Sequence, residues 1–116
     1  MKITMKILAV ADIHGAQYRV NLILKNVERY SPDLVIICGD ITQFGPGELA
    51  KNFLDQIPVE TLAVTGNIDT KDVSQIIDES KAANIELKKI VKNEINFIGV
   101  NGIDLNQLKT LDEKKI

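Results

Sequence analysis

The stretch ILAVADIHG, residues 7–15, decides the fold prediction, because an apolar run typical of a β-strand passes directly into a polar turn. The same order recurs in LVIICGD, residues 34–40, and in LAVTGNID, residues 62–69. From Asp12 to Asp40 is 28 residues and from Asp40 to Asn67 is 27, about the length of one βαβ unit. In a parallel sheet the carboxyl ends of neighbouring strands share one edge, where ligands bind. The sequence therefore predicts that the three turns meet at one edge.

Helical patterns fill the intervals between these strands. Residues 17–30 repeat apolar side chains at the spacing of one helix face, and a second helix opens at 46–47 and is closed by Pro58. A third follows residue 70, with Asp69 or Thr70 as its predicted N-cap. These helices predict crossovers between parallel strands.

After residue 84 the alternation of strand and helix patterns stops. Residues 85–91 and 95–100, joined at 92–94, predict a β-hairpin, and a last helix carries Leu105, Leu108 and Leu111. The predicted fold is α/β, a single domain over 1–116 with a mainly parallel sheet, crossover helices and a C-terminal β-hairpin.

Composition excludes several classes of function. The chain has 116 residues, 45% of them hydrophobic, which is enough for a core. Its 14 basic and 16 acidic residues leave a net charge of −2, which favours neither nucleic acid nor an anionic membrane as partner. The first apolar run is too short to span a bilayer, and the single cysteine fits a reducing compartment. We therefore expect a cytoplasmic protein. Cys38 ends an apolar strand, and we expect it to pack as a small core residue.

The residue types in the turns suit a divalent metal. Extended chain between Asp12 and His14 would place both side chains on one side, where a carboxylate and an imidazole can bind one ion. Asp40 adds a second carboxylate, and Asn67 adds an amide oxygen. Each residue also has a structural reading, since Asp and Asn are common in turns and at helix N-caps. Their recurrence at one sheet edge favours a metal or phosphate site made of Asp12, His14, Asp40 and Asn67.

These turns resemble the signature of the calcineurin-like metallophosphoesterase family, which has an Asp-x-His turn, a Gly-Asp turn and a Gly-Asn-His-(Asp/Glu) turn in this order. The stretch VIICGDITQFG, residues 35–45, looks especially like the family's small archaeal and bacterial branch. The resemblance covers about residues 5–102 and implies half of a sandwich of two sheets. It implies that Asp12 and His14 hold one metal (Mn, Fe, Zn or Ni), that Asp40 bridges two, and that Asn67 serves the second metal and touches the phosphate.

By the same resemblance, a hydroxide between the metals attacks a phosphomonoester or phosphodiester of a small molecule. Two departures bear on this expectation. The family's histidine after the asparagine is Ile68 here, and its later histidine and Gly-His-x-His are absent, since His14 is the chain's only histidine. The sequence thus predicts a truncated, incomplete dinuclear site in which no catalytic residue is certain. It also predicts a homodimer, because a parallel sheet is apolar on both faces and one face would lack a cover.

Three other readings stay open. The same fold could be a non-catalytic remnant or binding module. A receiver-like signalling domain has a similar length and a similar strand at 32–35, but it needs an acidic pair after the first strand, where this chain has Asp12 and then His14. A dinucleotide-binding domain fits less well, because no G-x-G-x-x-G occurs.

Overall fold

A computed structural model describes residues 4–102 together with 106, 107 and 109. A four-stranded parallel sheet runs through these residues in the order β1-β2-β3-β4, and a two-stranded antiparallel hairpin follows it. The strands are β1 (Ile7–Val10), β2 (Leu34–Cys38), β3 (Thr61–Val64), β4 (Ala83–Asn84), β5 (Lys89–Lys92) and β6 (Ile95–Ile98), and the helices are α1 (Gln17–Tyr30), α2 (Gly47–Asp55) and α3 (Asp72–Glu79). The predicted α/β class is confirmed.

All three helices pack on one face of the sheet, as strands added in sequence by right-handed crossovers require. Alternate strand residues, among them Val35, Ile37 and Ala63, point into this layer and are at most 1% exposed. They meet the apolar stripe of α1 and the side chains of α2 and α3, including Phe53 and Ile77. The main core therefore lies between the sheet and the helices.

The strand order excludes two alternative fold predictions, the receiver-like domain and the dinucleotide-binding domain. Receiver-like domains place their first strand inside the sheet, in the order 2-1-3-4-5, and dinucleotide-binding domains have the order 3-2-1-4-5-6. Here β1 pairs only with β2 in the described sheet, and β3 lies on the far side of β2. The two readings are therefore wrong for this chain.

The predicted start of the hairpin, at residue 85, is too early. Residues 83–84 instead form β4, which pairs in parallel with β3, and Ile85 extends this pairing by donating its N–H to the carbonyl of Ala63 at 3.2 Å. The chain then turns, so the hairpin proper begins at Lys89. Its turn lies within the predicted 92–94, where Asn93 and Glu94 have φ of 48° and 66°. Such a two-residue turn matches the twist of the paired strands.

The described part of the chain covers the other face of the sheet only in part. Over the beginning of β2 and β3, Ile90 and Phe97 of the hairpin pack against Leu34 and Leu62. Over β1 and the end of β2 the apolar residues Ile7, Ala9 and Cys38 are exposed, and these three residues define what we call the open face. The prediction that Cys38 is a core residue was therefore wrong, because its side chain alternates onto the uncovered side.

Two further points concern the chain as a whole. The predicted last helix, with Leu105, Leu108 and Leu111, falls outside the residues that the structure describes. Among those it does describe, no helix has the length and apolar character needed to cross a membrane.

Candidate metal site

The first two turns lie side by side at the carboxyl edge of the sheet. Three backbone hydrogen bonds join them, from the N–H of Asp12 to the carbonyl of Gly39, from His14 to Asp40 and from Gly15 to Ile41, at 3.3, 2.9 and 2.9 Å. These bonds continue the β1–β2 pairing beyond the last strand residues. The parallel sheet therefore brings the two motifs into register, as the sequence predicted.

The side chains of Asp12, His14 and Asp40 converge above this edge. One donor atom from each lies within 4.8 Å of the other two. The Nε2 atom of His14 is 3.4 Å from Oδ1 of Asp12 and 3.7 Å from Oδ2 of Asp40. The Asp12 side chain is 65% exposed and the Asp40 side chain 17%, so the cluster is open to solvent on its Asp12 side.

The arrangement fits a divalent metal. The Nε2 atom of His14 is buried and has no hydrogen-bond partner among the residues that the structure describes, whereas buried polar atoms in proteins nearly always have one. Two donors that bind one ion at about 2.0–2.2 Å lie roughly 3.0–3.5 Å apart, close to the spacing seen here. An ion between the three groups would use the unpaired nitrogen and neutralise the two neighbouring carboxylates.

The backbone of the cluster is unusual. Asp12, His14 and Asp40 all have positive φ, at 62°, 52° and 53°. The backbone is therefore left-handed at Asp12 and again at His14, and the predicted extended conformation was wrong, although the two side chains still meet. Left-handed backbone costs a residue other than glycine about 1–2 kcal/mol, and such residues cluster at functional sites.

The third turn is held against Asp40 by close packing of glycine. A Cβ placed on Gly66 would lie 2.1 Å from Oδ1 and 2.4 Å from the backbone nitrogen of Asp40, so only glycine fits there. The backbone N–H of Ile68 donates to Oδ1 of Asp40 at 3.1 Å. The turn after β3 therefore contacts the cluster on both sides of Asn67.

Asp69 joins the second and third turns and does not cap a helix. Its carboxylate, 6% exposed, accepts hydrogen bonds from the backbone N–H groups of Ile41, Thr42 and Gly66 and from the Thr42 hydroxyl, at 2.8–3.2 Å. Helix α3 begins later and has no side-chain cap. The cap prediction for Asp69 was therefore wrong: its side chain points back into the sheet edge and fixes the backbone that follows Asp40 and the backbone of Gly66.

Asn67 is exposed and lines, together with Asp40, a cavity of about 570 Å³. The cavity runs from the metal cluster along β2 and β3, on the face that carries the hairpin, and is bounded by residues 98–102 and by Gln107. Ile68, at the position of the family's histidine, is half-buried, and its side chain is apolar. Asn67 is thus beside the cluster, at the mouth of a mainly apolar cavity.

Sequence reasoning missed Glu86 and Asn101, which form a polar network behind the third turn. Glu86 accepts hydrogen bonds from Thr65, Ser74 and Asn101. Glu86 lies in a run that reads as an ordinary strand, and Asn101-Gly102 reads as an ordinary turn, so neither has a local signal. Only the pairing of β4 beside β3, which places Glu86 next to Thr65, brings them to the site.

Comparison with known proteins agrees with this architecture. The family model described as calcineurin-like phosphoesterase matches residues 5–114. The chain belongs to this family. It is 33% identical over 113 residues to the uncharacterised protein MJ1162 of Methanocaldococcus jannaschii, covering 94% of this chain and 49% of that protein. The family is metal-dependent, in agreement with the possible ligand cluster of Asp12, His14 and Asp40.

The fold also matches a solved structure, that of TT1561 of Thermus thermophilus, with a TM-score of 0.73 and 15% sequence identity. The match covers 97% of this chain and 64% of that one. The chain therefore spans about half the length of its curated relative and less than two thirds of the solved structure.

Proposed function

We propose that this chain is the metal-binding part of a phosphoesterase that hydrolyses small phosphomonoesters or phosphodiesters. The observation that carries the proposal is the buried, unpartnered Nε2 atom of His14 between the carboxylates of Asp12 and Asp40. Family membership supports the reaction class. We also propose a cytoplasmic location, which rests on the cysteine count alone.

Each residue has a proposed role. Asp12, His14 and Asp40 hold a divalent ion (Mn, Fe, Zn or Ni), and Asn67 binds it or donates its amide to a phosphate oxygen. A bound ion supplies Lewis acidity, which stabilises the negative charge that develops on the phosphoryl oxygens. Ile68 cannot give a proton to a leaving group. We therefore expect esters with acidic leaving groups, such as bis(4-nitrophenyl) phosphate, to react faster than alkyl esters.

Metal binding and turnover test this proposal together. Isothermal titration with Mn²⁺, Ni²⁺ and Zn²⁺ should give saturable binding that His14→Ala or Asp40→Asn weakens at least about 100-fold, the upper end of the loss found for outer-shell partners. Asp78→Asn, which removes the same charge from an exposed position on α3, should bind as the wild type does. Failure of the wild-type chain to bind any of the three ions would refute the proposal.

The second candidate is a non-catalytic module of the same fold. It is favoured by the size of the ligand set, because the described cluster offers three His and carboxylate donors, which is enough for one metal ion with an open position, whereas a two-metal site needs more. Saturable metal binding without turnover of bis(4-nitrophenyl) phosphate would select this candidate. Turnover that depends on His14 would select the enzyme.

We further propose that a second copy of the chain covers the open face. Parallel sheets are normally covered on both faces, and here Ile7, Ala9 and Cys38 leave one face apolar and exposed. The chain spans 49% of the length of its curated relative. A second copy would therefore add about as many residues as the difference in length between the chain and that relative.

Light scattering tests this association. The wild type should sediment and scatter as a dimer, and Ile7→Lys should shift it to monomer by placing a charge on the open face. Leu22→Lys is the matched control, since Leu22 is also exposed, at 53% against 38% for Ile7, but lies on α1 in the helix layer. A monomeric wild type at high concentration would refute the proposal.

A further inference from the structure

Glu86 joins three separate parts of the chain through one carboxylate. Its Oε1 accepts hydrogen bonds from the backbone N–H and the hydroxyl of Thr65, at 3.0 and 2.6 Å. Its Oε2 accepts from the Ser74 hydroxyl at 3.0 Å and from the Asn101 amide at 3.3 Å. Glu86 therefore ties the residue just after β3 to helix α3 and to the segment that follows the hairpin.

The network fixes the orientation of its own members. The side-chain oxygen of Asn101 accepts from the amide of Gln107 at 3.0 Å, so the Asn101 amide nitrogen is directed at Glu86. The carbonyl of Thr65 accepts from the N–H of Gly102 at 3.0 Å. Burial alone would raise the pKa of the Glu86 carboxyl, but the hydrogen bonds from Thr65, Ser74 and Asn101 outweigh it and lower the pKa below its ordinary value of 4.5.

Thr65 is one residue from the contact that locates Asp40. Gly66 packs directly on Asp40, with no room for a Cβ, and the N–H of Ile68 donates to the Asp40 carboxylate. Any movement of the backbone at residue 65 is therefore passed to Asp40 through two rigid contacts. The distance available for relaxation is small, because Gly39 also packs against Gly66, where a Cβ on Gly39 would lie 2.8 Å from the Gly66 Cα.

We infer that Glu86 is a positioning residue of the metal site: it sets the backbone after β3, and through Gly66 and Ile68 it sets the Asp40 carboxylate and the Asn67 side chain. The inference rests on the proposed function, since it concerns the same site. Glu86 is not proposed to contact the metal or the substrate. It acts only through the turn that follows β3.

Glutamine is a discriminating substitution at this position. Both carboxylate oxygens of Glu86 face donors, so a glutamine can satisfy one pair with its carbonyl and must turn its amide towards the other. If the carbonyl stays on Thr65, the new amide faces the amide of Asn101, and two donors oppose each other. The network is then broken with almost no change in side-chain volume.

Two measurements on Glu86→Gln test the inference, with Glu28→Gln, an exposed site on α1, as the matched control. The first is Mn²⁺ affinity by titration at a temperature where circular dichroism shows every variant folded; we expect about a tenfold loss, the lower end for residues that support a ligand. The second is amide hydrogen exchange of Ile68 in metal-free protein, which we expect to speed up at least about tenfold relative to the amides of α1 in the same sample.

If Glu86 had a purely structural role, Glu86→Gln would lower the unfolding temperature and change neither Mn²⁺ affinity nor the exchange rate of Ile68. If the wild type binds Mn²⁺ and Glu86→Gln binds it equally well, the inference is overturned and the proposed function stands. A wild type that binds none of Mn²⁺, Ni²⁺ and Zn²⁺ would refute the proposed function instead, and the exchange rate of Ile68 would then decide the link from Glu86 to Asp40. Should Glu86→Gln fail to fold, Thr65→Val removes only the hydroxyl contact and should change both readouts in the same direction by less.

Discussion

Replacing Gly66 by alanine should separate the geometry of the metal cluster from the stability of the fold. The added Cβ would lie 2.1 Å from Oδ1 of Asp40, whereas ordinary contacts begin near 3.4 Å, so the two groups must move apart by about 1 Å. Metal–ligand distances tolerate only about 0.2 Å. We expect Mn²⁺ affinity to fall by roughly 100-fold and the free energy of unfolding to fall by about 1–3 kcal/mol, the usual cost of overpacking.

Gly99→Ala supplies the control for stability. Its Cβ would lie 2.2 Å from the carbonyl oxygen of Ile85, a clash of similar severity between the hairpin and the end of β4. Urea denaturation should show comparable losses of stability for the two variants. Isothermal titration should show a loss of Mn²⁺ affinity of about 100-fold for Gly66→Ala and of no more than about tenfold for Gly99→Ala, the loss expected for Glu86→Gln, because Ile85 adjoins Glu86. Wild-type affinity in Gly66→Ala, or an equal loss in both variants, would refute the reasoning that Gly66 holds Asp40 in place.

Two further predictions concern metal and pH. Mn²⁺ at 100 times its dissociation constant should stabilise the wild type by about 2.7 kcal/mol. Chelation should abolish this gain, and His14→Ala should reduce it to about 0.4 kcal/mol or less at the same Mn²⁺ concentration. Thermal unfolding with and without metal measures the gain, and an equal gain in His14→Ala would contradict the assignment of His14 as a ligand. Because the pKa of Glu86 is lower in the folded protein than its ordinary 4.5, its contribution to stability is complete above that pH and is lost as the pH falls through the folded value. The stability advantage of the wild type over Glu86→Gln in urea should therefore shrink under acid conditions, and a constant advantage between about pH 7 and pH 3 would contradict the pKa shift.

The elements with strong local patterns were predictable from the sequence. The helix predicted over 17–30 has the same bounds in the structure, because its apolar stripe is long and Pro32 follows it closely. The apolar runs of β1, β2 and β3 were found for the same reason. The approach of Asp12, His14 and Asp40 followed from topology alone, since parallel strands must end at a common edge.

Other features depended on contacts that no local pattern encodes. Strand β4 has two residues, too few for any periodicity, and exists because Ile85 and the Asn84 side chain find partners on β3 and α3. Asp69 has a sequence context typical of a cap, but its carboxylate finds four better-placed donors across the sheet edge. The exposure of Cys38 depends on which face of the sheet the helices leave uncovered, and only the strand order determines that.

The sequential strand order also has a consequence for how the protein is made. Each strand of the sheet pairs with the strand before it in the chain, so the sheet can be assembled strand by strand in the order of synthesis. Asp12, His14 and Asp40 all belong to the first βαβ unit, from β1 to the turn after β2. Their donors are therefore all present on a nascent chain before β3 has left the ribosome. A divalent ion bound to this early unit would stabilise it before β3 and β4 are added, because a ligand stabilises the state that it binds.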